Sequence, residues 1–388
     1  MIYEGTYSSD LHLPALTIAG IFVLVALTLS IALIVQHLRS YTKPAEQKWI
    51  VAVVFMVPVY ATDSIISLSN GRWSLECDIL RNCYEAFALY CFGSYLVACL
   101  GGEERVVAFL EDESRKQLTE PLLGGKNTSV QKRSFANFFC QPNVQGKNLY
   151  TTVKFGIVQY MILKTFCAFL AFLLEIFGVY GDGEFKWYYG YPYMTVVLNF
   201  SQMWALFCLV QFYNCTHQNL EPIKPLAKFI SFKAIVFATW WQGVGIAILC
   251  AIGVLPKEGR FQNALQDFLI CIEMAVAAVA HIFVFSAKPY RYLPVSPQGE
   301  AISHAAKTTI MLEKDAKDKA AAIEQVDTHV EAPGTSVTES VQDIVLVGGK
   351  RVVKDVVLTI NQAIEPVEKG VIKIQEKLHN TAADSNNM

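Results

Sequence analysis

Ionisable and amide side chains recur inside long apolar runs of this chain, and any chemistry would sit there. Lys164 and Glu175 share one run, eleven residues apart. That is about three helical turns, so both point the same way. Glu273 and His281 share another run, eight residues apart and again on one helical face. Asp63 stands with Tyr60 and Ser67 on one face of a third. Asn199 and Gln202 make an i, i+3 pair, Gln242 follows Trp240 and Trp241, and Glu85 opens a further run. Such groups are costly in hydrocarbon, so they face the interior of a bundle or a watery cavity. One reading is internal salt bridges that only join helices, for example Lys164 with Glu175 or with Glu273. Because acids, a base and amides recur in at least four runs, the set as a whole is read as a polar cavity. Its candidate substrate-binding residues are Asp63, Lys164, Glu175, Asn199, Gln202, Gln242, Glu273 and His281. Lys164 and His281 have the charge to attract an acidic headgroup.

Other chemistries find little support. Of seven histidines only His281 is clearly within an apolar run, so an intramembrane metallohydrolase lacks ligands. No CxxC pair occurs, which argues against a structural zinc site. Gly181-Asp182-Gly183 departs from the GxGD spacing of intramembrane aspartyl proteases. No Walker motif or nucleophile elbow is present, so nothing would couple ATP hydrolysis to movement. No enzyme activity and no cofactor are expected. A net charge of −2 gives no footing for nucleic acid.

The elements that position these residues are membrane spans. The hydrophobic fraction is 53% and only 17% of residues are charged, against about 25% in soluble domains. Seven windows reach the roughly 20 apolar residues a bilayer requires: 14–36, 49–69, 84–107, 153–180, 191–213, 229–254 and 264–287. Trp49, Tyr84, Tyr180, Tyr191 and Tyr213 mark their ends, as headgroup-anchored aromatics do. The third and seventh windows are the weakest. With the N-terminus outside and the C-terminus cytosolic, fourteen Lys and Arg of the connecting loops fall on the cytosolic side and five opposite. The expected fold is thus all-α and polytopic, with a domain over 1–292 and a cytosolic tail over 293–388. On this orientation the sequons at Asn127 and Asn214 face the cytosol and stay unmodified.

The connection at about 108–152 reads as polar and cytosolic, with 111–116 a charged helical extension of the third span. In the partly disordered tail, 305–326 reads as a solvated helix and 327–340 as a linker. Residues 341–378 interleave Val and Ile with Lys, Asp and Glu. They fit an amphipathic helix broken at Pro366, a hairpin turning at Gly348-Gly349, or a poorly ordered tail. An amphipathic stretch there could lie on the membrane or bind a partner. Cys77 and Cys83 share one short polar loop on this reading, either paired or as two free thiols.

Several segments carry a resemblance. They are Tyr84-Glu-Ala-Phe-Ala-Leu-Tyr with Leu100-Gly-Gly-Glu-Glu104; the stretch from Glu175 to Phe185 with Gly190-Tyr-Pro-Tyr193 and Asn199-Phe-Ser201; Pro225-Leu-Ala-Lys-Phe229, Phe232-Lys-Ala-Ile-Val-Phe237 and Trp241-Gln-Gly243; and Gln266 to Met274 with His281. Together, over about residues 14–292, they resemble the organic solute transporter alpha-subunit family. That family includes the transmembrane protein 184 group and the plant Lazarus-type proteins, and the plant branch is the most similar. The resemblance implies a seven-helix bundle in the plasma membrane or an endomembrane such as the vacuolar membrane. In one branch it also implies facilitated movement of steroid-like or bile-acid-like anions with a small single-span partner subunit.

The sequence thus points to a transporter, or transport-like protein, for amphipathic organic solutes, facilitated or gradient-driven. The alternative is a signalling or scaffold protein acting through its cytosolic loop and tail. Candidate partners are membrane lipid, an organic solute, and a second copy of the chain or a small membrane subunit.

Overall fold

The computed structural model describes residues 3–123, 146–181, 186–256, 259–291 and 337–365. The architecture among them is all-α. Nine long helices precede the tail: α1 Tyr3–Arg39, α2 Pro44–Val54, α3 Met56–Ser69, α4 Ser74–Cys99, α5 Glu103–Leu123, α6 Gly146–Ile176, α7 Tyr191–Leu220, α8 Pro225–Ala251 and α9 Gly259–Val284. Six stretches are long and apolar enough to cross a bilayer: α1 from Leu13, α2 with α3, α6, α7, α8 and α9. A seventh crossing is completed if α4 and α5 count as one bent span, with 69° between them. At 26 residues, α4 is about 39 Å long and reaches across a bilayer without α5. Its low apolarity follows from its place, since it packs against α2, α3 and α6 and meets little lipid.

Local chemistry sets the breaks. Pro58 lacks an N–H, and its ring crowds the carbonyl four residues back, which is Val54, where α2 ends. The turn after α4 needs left-handed backbone. Gly101 and Gly102 have φ of +90° and +96°, and their N–H groups close the helix onto Ala98 and Val97 carbonyls at 2.9 and 3.0 Å. The third sequence window, 84–107, therefore ends early, and 103–123 is a separate helix. The other six windows fall on helices: 14–36 and 191–213 lie within theirs, 49–69 is divided between α2 and α3, and 153–180, 229–254 and 264–287 run three or four residues past the ends of theirs. Cys77 and Cys83 are free and lie inside α4 rather than in a loop. Six residues apart on a helix, they point to different faces.

α1 packs on α9 and α3, α6 on α7 and α4, and α8 on α9. Gly156 of α6 is a close-approach residue. A Cβ there would meet the Cys208 sulfur of α7 at 2.5 Å, the small-residue contact that brings membrane helices together. Leu24, Phe166, Val196 and Ile248 stand exposed around the bundle, as lipid-facing side chains do.

Residues 337–365 form one helix with a π turn at Asp343–Gly348, so Gly348 and Gly349 lie within a helix and turn no hairpin. This tail helix crosses the ends of α1, α2, α4 and α6, which we call the tail end. Ser340 donates to the Leu38 carbonyl at 3.2 Å, and Tyr41 donates to Asp343 at 2.8 Å. Burial, then the bond to Asp343 and its negative charge, push the Tyr41 phenol well above its ordinary pKa. Further along, Arg351 pairs with Glu103 at 3.2 Å, and Asp355 takes Lys154 at 2.7 Å and the Tyr90 hydroxyl at 2.8 Å. The segments 127, 182–183 and 305–326 singled out from sequence lie outside the described residues.

Candidate functional site

α7 packs on α6 and α8 packs on α9, while α4 stands behind them. The space left between is a cavity of about 750 Å³. Arg81, Asn82 and Glu85 of α4, Lys164 of α6, Asn199 and Gln202 of α7, Lys233 of α8 and Gln266 of α9 supply polar groups to its wall. Ile79, Met194, Leu198, Leu206 and Val236 make the rest apolar.

Glu85 is the centre of the polar half. One carboxylate oxygen accepts from the Lys233 ammonium at 3.0 Å and from the Tyr160 hydroxyl at 3.5 Å. The other faces the Lys164 ammonium at 3.5 Å. Lys164 also lies 6.0 Å from the centroid of the Tyr160 ring. Two ammoniums therefore share one carboxylate, and among the described residues no second acid pairs with either. Arg81 adds a cation to the wall, but it is outnumbered by Asp78 at 2.8 Å and Asp267 at 3.3 Å. The local excess of one positive charge lies at the lysine pair. On the tail-end side, Phe229 of the wall meets Phe92 and Phe232 with ring centroids 5.2 to 5.6 Å apart, closing the floor with aromatic surface.

The structure gathers part of the sequence-derived set. Lys164, Asn199 and Gln202 line the cavity, Asn199 donating to the Thr195 carbonyl at 2.8 Å. Lys164 is paired with Glu85, not with Glu175 or Glu273. Glu175 is exposed near the far end of α6. Gln242 and Glu273 hydrogen-bond each other between α8 and α9, away from the cavity wall. Asp63 is buried on α3, one oxygen without a hydrogen-bond partner, and is not part of the wall. His281 is fully buried against Phe285, with neither ring nitrogen hydrogen-bonded. It too is not part of the cavity wall.

Two central residues escape the sequence set. Lys233 falls inside the 229–254 window, where the cost of a buried charge would have flagged it as readily as Lys164. Glu85 stands at the edge of its window and looks like an interfacial residue. Only the deeper start of α4, at Ser74, places it well inside the bundle.

The fold and this pocket define a polytopic, multi-pass membrane protein with a solute-sized polar interior. The chain belongs to the organic solute transporter Ostalpha family, which matches residues 15–290. It is 68% identical to LAZ1 homolog 2 of Arabidopsis thaliana, over 99% of this chain and 94% of that protein. It is 46% identical to LAZ1 of the same plant, over 93% and 77%. A transmembrane protein 184 homolog of Dictyostelium discoideum is 35% identical over 72% of this chain and 54% of its own length. No solved structure matches the chain.

Proposed function

We propose that this protein moves amphipathic organic anions, of steroid-like size and shape, across a plasma or endomembrane such as that of the vacuole. The N-terminus is outside and the tail cytosolic. The observation that carries the reading is the lysine pair. Lys164 and Lys233 face a single carboxylate within a cavity that is half apolar. An anionic headgroup entering there meets an uncompensated positive charge without having to strip a partner from it. A fused-ring or acyl body then lies along Leu198, Leu206, Phe229 and Val236. A volume of about 750 Å³ lies within the ~300–1,000 Å³ of pockets that hold drug-sized ligands. No bond in the solute is made or broken, and the solute's own gradient, or one coupled to it, drives the movement.

Flux of a labelled steroid sulfate into proteoliposomes tests this. Saturable uptake above empty vesicles is expected, reduced by Lys164→Met or Lys233→Met alone. Equal uptake with and without protein for steroid sulfates, glucuronides and fatty-acid anions alike would defeat it.

A further inference from the structure

The tail helix is amphipathic in an inverted sense. Its inward face carries polar groups beside Val352 and Val356, which pack on the core: Ser340, Asp355 and Thr359 are buried, and Arg351 reaches Glu103 and stacks 5.8 Å over the Trp49 ring. Its outward face carries most of its other apolar side chains. Val353, Val357, Ile360 and Ile364 are all exposed, at spacings of four, three and four. That pattern is one continuous stripe along a helix. Lys350 is exposed on the stripe itself, within about 20° of Val357, and Lys354 is exposed about 60° to one side of Val357.

A helix held on a water-facing surface would present the opposite arrangement, with its stripe inward and its charges out. Here the polar side is satisfied by the bundle and the apolar side is left over. The place of the helix says what covers that side. It lies against the ends of spans, bonded to Leu38 at the end of α1 and to Lys154 eight residues into α6. At that level the bundle is surrounded by the headgroup and acyl boundary of one leaflet. The long stems of Lys350 and Lys354 let their ammoniums reach headgroups while the valines and isoleucines enter the acyl layer.

We propose that residues 337–365 are an in-plane membrane helix, clamped to the bundle by its polar face and seated by the Val353–Val357–Ile360–Ile364 stripe in the lipid of the leaflet at the tail end. The lipid surface is thereby bonded to α1, α2, α4, α5 and α6 through one rod. This rests on the chain being membrane-spanning and not on what it transports.

Nitroxide labels at introduced cysteines 353, 354 and 357 of the full chain, reconstituted in phosphatidylcholine–phosphatidylserine vesicles, test it. Signals are taken as differences from the unsubstituted, equally treated protein. Collision with dissolved oxygen, which concentrates in acyl chains, is compared with collision with a water-soluble nickel chelate. The expected result is that 353 and 357 favour oxygen over nickel by at least severalfold, while 354, at the edge of the stripe, is more open to nickel than either. Positions 353 and 357 as open to nickel as 354 would place the stripe in water and overturn the proposal. Labels at 353 and 357 screened from both reagents would place it against protein, and that too would overturn it.

Discussion

Removing one cavity ammonium should weaken anion binding, and removing Glu85 as well should restore it. Lys164 and Lys233 stand 3.5 and 3.0 Å from Glu85. Lys164→Met leaves Lys233 and Glu85 as a neutral pair, so no unpaired buried charge is created and folding is spared. The anion then loses one unit charge at about 4 Å. That is worth ~1 kcal/mol in bulk water and ~4 kcal/mol at the effective dielectric of a protein surface. A cavity open to water lies between these limits, so roughly 1.5–3 kcal/mol is expected, or about ten- to a hundredfold in Kd. Glu85→Gln with Lys164→Met returns the trio to one net positive charge and should bind within a fewfold of the native protein. The assay is equilibrium binding of radiolabelled steroid sulfate to purified protein, with monodispersity by size exclusion as the folding control. Unchanged affinity in a folded Lys164→Met protein would refute the reasoning. So would a double variant that remains as weak as the single one.

Other consequences follow from the packing. Gly156→Ala should lower thermal stability by roughly 1–3 kcal/mol in a detergent melt, because its Cβ meets the Cys208 sulfur at 2.5 Å. His281→Phe should keep flux and leave stability equal or improved. It removes a buried ring whose nitrogens are unsatisfied, and lost flux would show that the imidazole has a role in transport. Tyr41→Phe should cost about 1 kcal/mol near neutral pH by deleting the bond to Asp343. The Tyr41 phenol is raised in the folded protein, so its contribution is complete below pH ~10 and is lost as pH rises above that. The difference between native and Tyr41→Phe melting temperatures should therefore shrink above pH 10.

The spans were legible because hydrocarbon demands long apolar helices, and a sequence carries that demand locally. The cut at Gly102 was legible in principle, since two successive glycines at the end of a run invite left-handed backbone. The pairing of Lys164 was not. It depends on which helix lies opposite, and α4 brings Glu85 to it from 79 positions away in the chain. The cavity is equally non-local, because it exists only where α7 and α8 lean on different neighbours. Asp63 and His281 show the limit of the rule that a polar residue in a span is functional. Each is buried in helix packing, away from the cavity. The tail was ambiguous because its apolar stripe fits a helix facing lipid, protein or solvent, and only the bonds of Arg351 and Asp355 to the bundle fix which side turns inward.

The most direct measurement is thiol labelling of cysteines introduced at Asn199 and Gln202 on the cavity wall. A membrane-impermeant reagent is added to intact proteoliposomes with and without steroid sulfate. Labelling above the unsubstituted protein is expected at both positions, with protection by the sulfate that is abolished when Lys164→Met and Lys233→Met are combined with Glu85→Gln, which leaves no unpaired buried charge. Absent labelling, or labelling the anion never slows, would contradict a water-filled, cationic cavity.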